Sequence, residues 1–104
     1  MSIIRFWAIR HAPTGHYLPE PAGRMGRGGS HVEPVAVSDA DRARLFPSKI
    51  AASRALGAWL RGKVHHSSGY DSFSGEYWET NELRPVPSRK RDEMDIVEIE
   101  VVLP

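Results

Sequence analysis

The chain has 104 residues, no cysteine and a formal net charge of +1. That length fits one domain with a modest core. The composition excludes disulfides and thiolate metal sites, and no apolar run approaches the roughly 20 residues of a membrane span. No secretory leader pattern is visible at the start, so a cytoplasmic setting without a membrane partner is expected.

Residues 3–9 are apolar on both faces of an extended chain and predict a well-covered strand running to about residue 11. Pro13-Thr14-Gly15 supplies turn chemistry, and His16-Tyr17-Leu18 returns as the second strand of a hairpin. Residues 19–44 hold too many prolines and glycines for a regular element. "RLFPSKIAASRALGAWLRG" (44–62) is the clearest signal. Leu45-Phe46 reads as a short strand, Ser48 as an N-cap and Gly62 as the residue that ends the helix. Ala52, Leu56, Trp59 and Leu60 fall on one helical face, with Ile50 nearby. Residues 63–83 are polar and Ser/Gly-rich and read as a loop, with a strand around Tyr77-Trp78. A helical turn after Ser88 is expected, then a closing strand with Val97, Ile99, Val101 and Leu103 on its buried face. This order predicts a single α+β domain over 1–104. It has a small antiparallel sheet of three to five strands, including the N-terminal hairpin and the C-terminal strand, and one main helix packed across it. Long loops are expected at about 19–44 and 63–83.

Arg10-His11 after a strand resembles the opening of histidine phosphatases, in which such a His takes the phosphoryl group. That architecture needs several parallel strands with crossover helices, each consuming a dozen or more residues, and this chain holds one convincing helix. The chain also turns back directly after His11. His11 is therefore expected to end a hairpin strand, and no catalytic residue is assigned. His11, His16, His65 and His66 match no metal spacing, so no metal or other cofactor is expected.

"GRMGRGGSHVEP" (23–34) is the stretch most suggestive of function. Gly26, Gly28 and Gly29 leave backbone N–H groups free to curl round an anion. Arg24 and Arg27 add forked cationic donors, and Ser30 and His31 a hydroxyl and an imidazole. The stretch lacks the Gly-Lys-Ser/Thr and following helix of a P-loop. Tyr17, Tyr70, Phe73, Tyr77 and Trp78 are candidates for stacking a base or anchoring a partner.

Charge is uneven: residues 1–63 carry ten Lys/Arg against four Asp/Glu, whereas 64–83 carry Asp71, Glu76, Glu79 and Glu82 and no cation. Such asymmetry can mark a binding face.

The stretches "WAIRHAPTGHYLPEPAGRMGRGGSHVEP", "RLFPSKIAASRALGAWLRG" and "PVPSRKRDEMDIVEIEVVLP" resemble a group of small accessory proteins encoded by tailed phages and prophages of proteobacteria. The resemblance implies a protein made in the cytoplasm of the bacterial host that binds its target stoichiometrically, and it carries over no catalytic residue. The leading expectation is a counter-defence protein that captures an anionic, nucleotide-like immune signal through the Gly/Arg loop. The alternatives are an inhibitor that binds a host defence or metabolic enzyme through 67–83, and a single-strand nucleic-acid binder using Arg24, Arg27, Arg42, Arg44 and Arg89–Arg91. The low net charge weighs against nucleic acid. No acid, base and nucleophile set can be assembled, so an enzyme is not expected. A homo-oligomer is compatible with the composition.

Overall fold

The computed structural model describes residues 2–20, 31–38 and 41–104. Strand β1 (Ser2–His11) turns into the short β2 (His16–Tyr17). Helix α1 (Lys49–Leu60) follows, then β3 (Lys63–Asp71), β4 (Glu76–Arg84), a 3-10 turn (Arg91–Glu93) and β5 (Met94–Leu103). The fold is α+β with antiparallel pairing throughout. It forms two sheets, a three-stranded one in the order β2-β1-β5 and a separate β3–β4 ribbon.

The helix begins as its sequence dictates. Ser48 is extended, and its hydroxyl accepts from the Ala51 N–H at 3.1 Å. Ala52, Leu56 and Trp59 are buried, whereas Ile50 points to solvent and is no part of the core. At the far end Gly62 adopts φ +112°, and a Cβ there would collide with the Arg84 carbonyl. Gly62 thus ends α1, permits the left-handed turn and admits the end of β4 against it.

The core joins Leu56, Trp59 and Ala52 of α1 to Ile9, Leu18, Phe46 and Met94, with Trp7 and Ile96 packed alongside. Ile9 pairs with Ile96 and Trp7 with Glu98, so these residues share the helix-facing side of the sheet. Of the face expected to be buried in β5, Val97, Ile99 and Val101 are half-buried and Leu103 is exposed, while Glu98 and Glu100 between them are exposed. Val97, Ile99 and Val101 pair with Ala8, Phe6 and Ile4 and lie on the opposite side. On the helix side β5 also carries Glu98 and Glu100, which pair with Arg5 at 3.1 and 3.8 Å.

The expected loop at 63–83 is also corrected: it is a hairpin of nine consecutive pairs. The turn residues explain it. Gly75 has φ +75° and its N–H donates to the Asp71 carbonyl at 2.7 Å. The Asp71 carboxylate accepts from the Phe73 N–H at 2.9 Å, and the Ser74 hydroxyl from the Glu76 N–H at 3.3 Å. The β1–β2 turn has the same design. Gly15 has φ +71° and donates to the His11 carbonyl at 2.8 Å, and the Thr14 hydroxyl accepts from the His16 N–H at 3.3 Å. A hydroxyl residue followed by Gly is the shared signal. Within β3 the low strand preference of Ser67, Ser68 and Gly69 hides it. Gly69 leaves room for the Trp78 indole, which lies where a Cβ would be.

The described parts of 19–44 carry only isolated bridges, Tyr17 to Val35 and Pro19 to Ala43.

The helix packs on β1 and β5, while β3 and β4 pack chiefly on each other. The ribbon therefore stands away from the body. The radius of gyration is 17.5 Å and the long axis 67 Å, against about 13 Å for the radius of a compact domain of this length.

Leu56→Ala should lower unfolding free energy by about 2–5 kcal/mol in chemical denaturation, because it empties the helix–sheet seam.

Candidate functional site

Two surfaces carry chemistry. The first is a cleft of about 190 Å³ where the β1–β2 turn meets residues 33–34, 88–90 and the end of α1. Its floor is Trp59 and Met94, and its rim includes Thr14, His16, Ser88 and Lys90.

Arg89 closes one wall. Its side chain is 1% exposed. The guanidinium lies 4.4 Å from the Trp59 ring centre. Nη1 donates to the Trp59 carbonyl at 2.7 Å, and Nε and Nη2 donate to Glu33 Oε1 at 3.0 and 2.6 Å. The Trp59 indole N–H donates to the Val32 carbonyl at 2.8 Å. A cation thus caps the helix C-terminus from a distant segment. The turn that delivers it is Val86-Pro87-Ser88-Arg89, closed by the Arg89 N–H on the Val86 carbonyl at 3.0 Å.

His11 forms the opposite wall. Its Nε2 lies 2.9 Å from Glu93 Oε2 and its Nδ1 2.7 Å from Thr14 Oγ1. An ionised carboxylate can only accept, so Nε2 carries a proton. In the neutral ring Nδ1 then accepts from the Thr14 hydroxyl. Both nitrogens are engaged, and neither offers a free lone pair for phosphoryl transfer.

The second surface is the β3–β4 ribbon. Tyr70 and Tyr77 form a cross-strand pair, and Trp78 lies over Gly69 on the other face. Tyr70, Tyr77 and Trp78 are at least half exposed, and Phe73 at the tip is fully so. The structure brings these four expected residues together on one arm. Tyr17 is not among them: it is half-buried in β2, bonded through its backbone to Val35. Arg24, Gly26, Arg27, Gly28, Gly29 and Ser30 lie outside the described residues. His31 stands edge-on to His65 at the root of the arm, ring centres 6.4 Å apart. Of the arginines considered for nucleic acid, Arg89 is committed to the interior, and Arg44 lies 4.7 Å over the Phe46 ring.

The sequence marked Arg89–Arg91 only as candidate nucleic-acid contacts and Ser88 only as the start of a turn; the interior role of Arg89, the place of Ser88 and Lys90 at the cleft, and the roles of Thr14 and Glu93 were not legible in it. The one usable signal was Pro87-Ser88, a turn aimed back at the body.

Among the described residues no helix is long and apolar enough to cross a membrane, and no cluster suits a metal ion. Compared with known protein families, characterised proteins and solved structures, the chain matches none.

Arg89→Ala should cost about 2–4 kcal/mol, from lost charge-assisted bonds and the cation–π contact. Arg89→Lys should recover less than half, because the fork is lost. Denaturant midpoints of the three proteins check this.

The Phe73 backbone N–H, and then the Ser74 hydroxyl, hold the Asp71 carboxyl below the ordinary carboxylate value of 3.8. A depressed value means the turn is stabilised above 3.8 and loses that support as pH falls through the lower value. Ribbon amide protection should therefore hold from neutral pH down to that point and fade below it, and Asp71→Asn should flatten the dependence.

Proposed function

We propose that the protein binds a partner protein through the β3–β4 arm. The observation that carries this reading is a paired ribbon that leaves the body with aromatics exposed on both faces and at its tip. A two-stranded ribbon alone is marginally stable in water. Clustered exposed aromatics mark interaction sites, and Tyr and Trp dominate binding energy where they become buried. Because both faces carry aromatics, the arm suits insertion into a groove better than adhesion to a flat surface. Asp71, Glu76, Glu79 and Glu82 ride on it and residues 64–83 hold no Lys or Arg. The complementary groove is therefore basic, with an apolar pocket for Phe73. The resemblance to phage accessory proteins supports a bacterial host protein as the partner and counter-defence as the purpose.

Capture of a nucleotide-like signal by the loop from Arg24 to His31 is the second reading. The observation that favours it is the position of His31 at the root of the arm, beside His65.

A photo-crosslinking residue in place of Phe73 should give a defined adduct in host cells, and one in place of Arg54 on the outer face of α1 should not. Phe73→Ala with Trp78→Ala should abolish the adduct formed from a third ribbon position, Tyr77, while Phe73→Ala alone shifts stability by no more than about 0.5 kcal/mol. Adduct yields that ignore position and these substitutions count against the arm.

A further inference from the structure

We propose that the cleft at the β1–β2 turn is an oxyanion site that takes up a proton on His11 as it fills. The inference concerns a different surface from the arm and does not depend on it.

The charge balance selects the ligand. Glu33 is neutralised by Arg89 at 2.6 Å and lies 3.9 Å from Lys63 Nζ. Glu93 is held by His11 at 2.9 Å. Lys90 lines the same cleft, is exposed, and among the described residues has no carboxylate partner. With both histidines neutral, Lys90, Arg89 and Lys63 against Glu33 and Glu93 leave one positive charge, and it belongs to Lys90. Ser88 adds a hydroxyl and His16 an imidazole on the rim. At about 190 Å³ the cleft is below the about 300 Å³ at which pockets begin to enclose a drug-sized ligand. It fits a phosphate- or sulfate-sized group, alone or as the head of a larger molecule.

His11 supplies the proton coupling. While its ring is neutral, Nδ1 accepts the Thr14 hydroxyl proton, and the Thr14 oxygen accepts the His16 N–H. The hydroxyl then has no proton to offer an anion. When His11 gains a proton, Nδ1–H becomes a donor to Thr14 Oγ1. The hydroxyl proton is released and can turn into the cleft, and a positive charge appears behind it. Both changes favour an anion, and by reciprocity the anion favours the protonated ring. No covalent bond forms or breaks, and one proton comes from solvent. The charged or titratable groups facing His11 are Glu93 from the 3-10 turn, His16 from β2, and Lys90, Arg89 and Glu33 across the cleft. Of these His16 carries the other imidazole.

Sulfate is the probe, since it keeps one charge state between pH 6 and 8. In a two-dimensional amide NMR titration, the Thr14, His16, Ser88 and Lys90 signals should move saturably. Affinity should be higher at pH 6 than at pH 8, by up to about tenfold per pH unit where one whole proton is taken up. Lys90→Ala, at an exposed position, should weaken binding about tenfold or more. His11→Gln should remove more of the pH dependence than His16→Gln does. In the wild type at pH 7, added sulfate should move the His11 ring signals toward their protonated positions. Absence of saturable shifts, or shifts indifferent to Lys90→Ala, overturns the site. Wild-type affinity independent of pH, or His11 ring signals that sulfate leaves in place, overturns the proton uptake.

Discussion

The Arg89 guanidinium ties together parts of the chain that no regular element connects. It stacks on Trp59, caps the carbonyl end of α1 and holds Glu33. The segment around residues 32–34 has no helix or strand of its own, yet it stays on the body because Arg89 and the Trp59 indole both bind it. A buried cation is tolerated only with its donors satisfied, and here a carboxylate and two carbonyls satisfy them. The cleft is a consequence. The turn that delivers Arg89 also brings Ser88 and Lys90 opposite His11 and Thr14.

The two hairpins share a turn and differ in what lies beneath them. The first is laid against β5 and under the helix, so its aromatic Trp7 joins the core. The second begins where Gly62 ends the helix, and among the described residues no third strand extends it. Its aromatics therefore stay in water. The same local chemistry yields a structural hairpin in one place and an arm in the other, and tertiary contact alone distinguishes them.

Acidic side chains follow the same division. Glu33, Asp95, Glu98 and Glu100 on the body each meet a cation, and Glu93 accepts from the His11 ring. On the arm, Glu82 meets Arg84 and Glu79 accepts from the Tyr77 hydroxyl, while Asp71 is spent on its own turn. The field that remains around the arm is negative, and that around the cleft rim is positive. The two surfaces thus differ in the sign of their charge.

The sequence by itself determined the helix and its ends, the first hairpin and the closing strand. Ser48, Gly15 and Gly62 act within a few residues of themselves, and the 3.6 and 2.0 periods of the apolar residues are local properties. It also marked Tyr70, Phe73, Tyr77 and Trp78 as candidate contacts, because aromatics in a polar stretch stand out wherever they occur. Only the tertiary structure decided which side of β5 faces the helix, since both sides carry apolar residues and Met94 and Ile96 are the ones that meet the core. It turned Arg89 from a candidate surface cation into a buried one. It also made His11, Thr14 and Glu93 a hydrogen-bonded set. Glu93 is 82 residues from His11, and no periodicity or motif spans that distance. Only the pairing of β1 with β5 brings the carboxylate to the ring.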